Sequence, residues 1–178
     1  MINLPGNSDA PTFATPLEML RACHGRILDQ CNTLQKLQQH LAINGSDVQA
    51  QQAAQAILRY FDTAGQYHHQ DEEIDLFPLL LSSSNTTTHQ LIKHLLGDHQ
   101  KMDKTWIRLR LRLQDIAKGK ATILADGLVA DFNSTYEQHI TLENAQLLPL
   151  AAELLDEQQL STLGEKMSRR RSTEVKPT

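Results

Sequence analysis

The sequence predicts an all-α protein, an up-down-up-down four-helix bundle followed by a short C-terminal fifth helix. Three observations carry this reading. Leu, Ala and Gln abound while aromatic residues make up only 4% of the 178-residue chain, a balance that favours helix over sheet. Apolar residues recur at spacings of three and four through four long segments with short turn signals between them. His68 and Glu72, and again His139 and Glu143, stand four residues apart, and that spacing sets two side chains on one face of a helix.

The elements follow in order. Residues 1–14 read as a flexible leader, and residues 15–151 as the bundle. Thr15-Pro16-Leu17-Glu18 is a capping box with Pro at the first helical position. The first helix runs to about Ile43, where Asn44-Gly45 supplies a stop. Ser46-Asp47-Val48-Gln49 is a second capping box and opens the second helix, which Pro78 ends or kinks. The loop SSSNTTT, residues 82–88, ends in good N-cap residues, so the third helix runs from about Thr88 to Lys118, with Gly119 as its stop. The fourth starts near Thr122 and reaches about Leu147, before Pro149. A short helix is expected within 152–170, then a disordered tail over 171–178; the basic run Arg169, Arg170 and Arg171 spans that boundary and reads as solvated. The stretch IRLRLRL, residues 107–113, alternates like a strand. It lies inside a longer helical register with no bracketing turn, and arginine stems can lie along a helix flank, so it reads as helix.

Composition narrows the function. With 40% hydrophobic residues, the chain can build a core without disulfides. A net charge of −4 gives no general attraction to nucleic acid or to an anionic membrane. No apolar run reaches a membrane span, and the first residues lack the basic-then-apolar order of a signal peptide. The two cysteines, Cys23 and Cys31, would stand about 12 Å apart along one helix, too far for a disulfide. A reducing, cytoplasmic setting is the expectation.

The histidines carry the chemistry. The expected core stripes are Leu17, Leu20, His24, Ile27, Cys31, Leu34, Gln38 and Leu41 on the first helix, and Ala54, Ile57, Phe61, Ala64 and His68, then Asp71 flanked by Glu72, on the second. The third helix offers Ile92, Leu95, His99, Met102, Trp106, Leu109, Leu113 and Ile116, and the fourth Ala125, Leu128, Phe132, Thr135, His139, Leu142 and Gln146. Each stripe has one histidine where Leu or Ile belongs. His24 and His99 lie near the starts of their helices, His68 and His139 near the ends, so the four meet at one level, with Glu72 and Glu143 one turn away. Burying four imidazoles and two carboxylates without partners costs several kcal/mol per group. Metal ions meet that cost, and His24, His68, Glu72, His99, His139 and Glu143 are the candidate ligands. His40, His69, His89 and His94 fall off the stripes and read as surface or supporting residues; Asp71, Glu73 and Asp103 read as solvated.

Six mixed imidazole and carboxylate ligands suit iron, manganese or zinc. A ferritin-like site would show Glu-x-x-His on two helices; the order here is His-x-x-x-Glu. Two facing histidines could ligate a haem, but the glutamates would then be unexplained, and no CxxCH is present.

The segments LRACHGRILDQC, YHHQDEEIDLFP, GDHQKMD and HITLENAQLLP resemble, in order, the four helices of hemerythrin-like domains, also called HHE cation-binding domains. The resemblance covers roughly residues 16–151. It implies a hemerythrin-like bundle around two non-haem iron ions bridged by carboxylates and an oxo or hydroxo group, with the same six residues as ligands. Oxygen-carrying hemerythrins have HxxxH on the third helix and HxxxxD on the fourth; here Leu95 and Asp103 flank His99, and position 144 is Asn. Four histidines with two glutamates are more similar to iron-centre repair proteins and to iron- or oxygen-responsive domains. The resemblance therefore implies a small ligand (oxygen, nitric oxide or peroxide) bound for sensing, storage or protection. Its alternatives are a diiron oxidoreductase acting on nitric oxide or peroxide, and an iron donor or repair factor. Cys31, Phe61, Trp106 and Phe132 each lie seven residues from their helix's histidine and should form an aromatic floor. Between floor and metals, Ala64 and Thr135 are small and leave room for that ligand, with Tyr136 alongside as a hydrogen-bond donor.

Overall fold

A computed structural model describes residues 10–82 and 85–172. Among these residues there is no strand. Helix α1 spans Pro16–Asn44 and α2 Val48–Asp62. After a break at Thr63, α3 (Ala64–Gln70), a π-helical turn (Asp71–Leu76) and α4 (Phe77–Leu81) complete the second rod. The third rod is α5, Thr86–Ala117. The fourth is α6 (Asp126–Leu142), a second π turn (Glu143–Leu147) and α7 (Leu148–Leu154), and α8 (Glu157–Ser172) follows it. Contacts run from α1 to α2, α2 to α5, α5 to α6 and α6 back to α1, which closes a ring of four rods. The expected hemerythrin-like bundle with a fifth helix is the fold observed.

The stops and starts show which local signals govern. Gly45, at φ 66°, adopts a left-handed conformation that glycine tolerates and sends its N–H back to the Leu41 carbonyl at 3.0 Å. The expected box at Ser46 moves by one residue. Asp47 is the cap, accepting from the Ala50 N–H at 2.9 Å, while the Ser46 hydroxyl donates to the Ile116 carbonyl at 2.9 Å. Thr15 makes no side-chain cap, its hydroxyl donating instead to the Thr12 carbonyl. Asn85 caps α5, which therefore begins two residues earlier than expected, at Thr86. Residues 83 and 84 of the expected loop lie outside the described residues. The fourth rod begins at Asp126 rather than near Thr122, because Gln38 holds the Leu124 carbonyl and the Asp126 carboxylate while Leu124 is buried. Residues 107–113 are helical, with Leu109 and Leu113 inside and Ile107 and Leu111 outside.

Neither proline ends its rod. Each follows a widened turn in which the Phe77 N–H reaches the Glu72 carbonyl and the Leu148 N–H reaches that of Glu143, five residues back. Proline has no N–H and its ring crowds the carbonyl four residues before it. A π turn at that point relieves the crowding and keeps the helix running. Both rods thus share His-x-x-x-Glu-x5-Pro, a longer repeat than the ligand spacing alone.

The core is in two parts. One, around Ile27, Leu34, Ile57, Phe61, Leu109 and Phe132, fills the long end of the bundle. The other, around Leu20, Phe77, Leu80, Leu95 and Leu147, takes Leu163 and Met167 from α8 and fills the short end. Helix α8 opens with a reciprocal cap, the Gln159 N–H on Asp156 and the Asp156 N–H on Gln159. It includes Arg171 and Ser172, which were expected in a disordered tail; residues 173–178 of that tail lie outside the described residues. Of the expected leader, residues 10–14 are described. Phe13 packs on the second core and its carbonyl lies where a Cβ on Gly164 would be 1.9 Å away, while residues 1–9 are not described.

Candidate metal centre

Between the two cores lies a buried polar layer. His24, His68, His99 and His139 are each 1% exposed, and Glu72 and Glu143 are wholly buried. The structure brings all six predicted residues together. They form two groups, one of His24, His68, Glu72 and Glu143 and the other of Glu72, His99, His139 and Glu143. Within each group the candidate ligand atoms lie within 4.8 Å of one another.

Both carboxylates span the two groups. Glu72 Oε1 is 3.4 Å from His68 Nε2 and 3.9 Å from His24 Nε2, while its Oε2 is 3.4 Å from His99 Nε2. Glu143 Oε2 is 3.1 Å from His24 Nε2, and its Oε1 is 3.0 Å from His139 Nε2. Both glutamates lie in the π turns, Glu72 as the second residue of one and Glu143 as the first of the other. His24 Nε2, His68 Nε2 and all four glutamate oxygens have no hydrogen-bond partner despite this closeness. Buried polar atoms without partners are costly. These converge on common points, as donors to a cation do. The donor set fits two ions of the borderline, N/O-binding kind.

Two of the other ring nitrogens, those of His24 and His99, are held from outside. His24 Nδ1 donates to Asn144 Oδ1 at 2.8 Å, and His99 Nδ1 donates to Glu73 Oε1 at 2.6 Å. His68 Nδ1 and His139 Nδ1 have no hydrogen-bond partner, Asp98 Oδ2 standing 3.7 Å from the latter. The bonds to Asn144 and Glu73 fix the tautomers of His24 and His99 and leave Nε2 with its lone pair free for an ion. Among the protein groups, burial disfavours a charged His24, but Glu143 and Glu72 outweigh it and raise the ring to about 10. His99 is likewise raised to about 10 against burial, by Glu72 and Glu73. Burial and the neighbouring His24 push His68 well below its ordinary value. Burial opposes ionisation of Glu143, yet His139 and His24 hold it well below the usual carboxylate range. Protons on His24 and His99 therefore do part of what cations would do.

Of the residues outside the six, His69 takes the supporting role rather than the surface one, and Asp71 departs from expectation. His69 is 6% exposed, stacked on His99 at 4.1 Å and facing Tyr136 at 5.9 Å. It follows a second four-residue register, Phe61, Gly65, His69, which widens the buried stripe beyond one line of residues. Asp71 is wholly buried, not solvated, and Arg170 and Arg171 of the expected basic tail pair with it. Glu73 is partly exposed as expected but bonds His99. Asp103 is exposed, and His40, His89 and His94 lie off the centre.

The expected floor forms, with Phe61 5.1 Å from Trp106 and 5.0 Å from Phe132, in the same core as Cys31. Thr135 does not line it. Its hydroxyl bonds the Asp131 carbonyl, and Tyr136 takes the inner position, 5.0 Å from Phe132. Ala125 and Gln146 are exposed and Leu142 packs half-buried on the second core, while Val129, Ile140 and Leu147 are buried beside the expected stripe.

The chain matches the hemerythrin HHE cation-binding domain over residues 15–151. It is 31% identical over 160 residues to an uncharacterized protein of Haemophilus influenzae, covering 90% of this chain and 92% of that one. The chain belongs to the hemerythrin HHE cation-binding family, and its buried histidine and glutamate clusters are those of a metal-binding member.

Proposed function

We propose that this member of the hemerythrin family holds two non-haem iron ions, with an oxo or hydroxo bridge, and binds a small molecule there. Oxygen, nitric oxide or peroxide is the ligand class, and sensing, storage or protection from stress the role. One observation carries the reading: Glu72 and Glu143 each divide their two oxygens between two imidazole pairs, with those oxygens otherwise unpartnered and buried. Two histidines and two shared carboxylates per ion leave coordination positions free, and iron supplies reversible redox binding of such ligands. Manganese or zinc fits the same donors. The chain's own part is to hold the rings by Asn144 and Glu73, and to exclude water with the aromatic layer below. No helix among the described residues is long and apolar enough to cross a membrane, and both cysteines are free, which supports a cytoplasmic setting.

Anaerobic loading with ferrous iron, metal counting, and spectra on exposure to air and then to nitric oxide test the reading. Two irons per chain and a spectral change that reverses on removing the gas are expected. Steady consumption of nitric oxide or peroxide would instead assign an oxidoreductase, and transfer of iron to a metal-free acceptor would assign a donor. A chain with no affinity for ferrous iron would sink all three.

A further inference from the structure

Helix α8 lies beyond the segment that matches the family, yet it reaches the back of the first π turn. Three cations on one face of it, Lys166, Arg170 and Arg171, meet two buried carboxylates, Asp71 and Asp75. Asp71 pairs with Arg170 and accepts from Arg171 Nη2 at 2.6 Å and Nη1 at 3.3 Å. Asp75 accepts from Arg170 Nη2 at 2.5 Å and pairs with Lys166 at 3.2 Å. The Arg171 guanidinium also lies over the rings of Phe13 and Tyr67, at 5.4 and 5.8 Å. The two aspartates bracket Glu72 in the chain, one directly before it and one three residues after.

We propose that α8 is a working part of the metal centre: Arg170 and Arg171 are positioning residues that fix Glu72 through Asp71 and Asp75, and so set how tightly the metal pair is held. This rests on the metal reading of the centre, though not on the identity of the small ligand. Three physical points support it. A π turn is rare and locally less favourable than an α turn, so it needs an external hold. Forked guanidinium–carboxylate pairs supply one with fixed geometry. Without those cations two buried anions would remain beside Glu72, and the turn would have to open to water to solvate them. The second π turn has a different hold, Asn144 on His24, so the dependence on α8 belongs to the first turn.

The test uses the full chain loaded with cobalt(II), whose visible spectrum reports coordination. It measures ions per chain, the spectrum, and the rate of loss to excess EDTA. R170Q/R171Q should lose metal about tenfold faster or more, with an altered spectrum, as expected when groups supporting a ligand are removed. D71N/D75N approaches the same contact from the other side and removes the buried charge, so it guards against simple unfolding; it should show the same change. R170K/R171K should fall between, because lysine cannot fork. R169Q, on an exposed residue, should match the unsubstituted chain. Unfolding midpoints separate a loosened site from a generally weakened fold. Folded R170Q/R171Q and D71N/D75N proteins with unchanged spectra and release rates would overturn this inference alone. An unsubstituted chain that takes up no cobalt would overturn it together with the metal reading.

Discussion

At the residue scale, the decisive side chains are the ones that hold the ligands. Asn144 fixes His24 and Glu73 fixes His99. Asn144→Ala or Glu73→Ala should weaken metal binding about 10- to 100-fold while leaving helicity unchanged, which competition with a chromophoric chelator would measure. Titration of the rings gives a second expectation. His24 and His99 are raised to about 10 in the folded chain, so their protonated forms stabilise the metal-free fold fully below pH 6.5. That contribution is lost as pH rises through about 10. Metal ions need neutral rings, so metal affinity should rise over the same interval. Thermal melts of EDTA-treated protein from pH 6.5 to 10 should therefore fall; a flat or rising profile contradicts the ring assignments. Sequence gave the six candidate ligands because each histidine interrupts an apolar stripe. It left His69 between a surface and a supporting place and read Asp71 as solvated, because burial at the edge of a stripe depends on how close the next helix lies.

At the scale of elements, the π turns matter most. Each contains a glutamate that precedes a proline by the same spacing, so one device serves both carboxylates. The prolines read from sequence as ends or kinks, since a missing N–H usually stops a helix. Packing on both sides of Pro78 and Pro149 keeps the rods going, through Leu76, Phe77 and Leu80 in one and Leu147, Leu148 and Ala151 in the other. Helix α8 depends on one close approach. A Cβ on Gly164 would meet the Phe13 carbonyl, a backbone atom with little freedom to shift. Gly164→Ala should cost about 1–3 kcal/mol, the usual range for overpacking, and equilibrium urea unfolding would measure it. A variant as stable as the parent would mean that residues 12–15 do not dock on α8.

At the scale of the molecule, a charged layer separates two apolar cores, and each must hold without help from the layer's own packing. Phe61 ties the larger core together, touching Trp106, Phe132 and Tyr136. Phe61→Ala should cost about 3–5 kcal/mol, followed by the fluorescence of Trp106, the single tryptophan. Metal binding should stabilise the whole bundle, by about 2.7 kcal/mol at one hundred times the dissociation constant. An unfolding midpoint that does not move on saturation with metal would contradict a centre made from all four rods.

The sequence by itself determined the four rods, the level at which the histidines meet, and the six residues offered to a metal. Those follow from helical periodicity and chain order, which are local. Only the tertiary structure decided that both glutamates sit on π turns, that the fourth rod turns Tyr136 rather than Thr135 inward, and that the arginines of α8 close on Asp71 and Asp75. These depend on how rods press on one another and on charges far apart in the chain, and no local spacing encodes that.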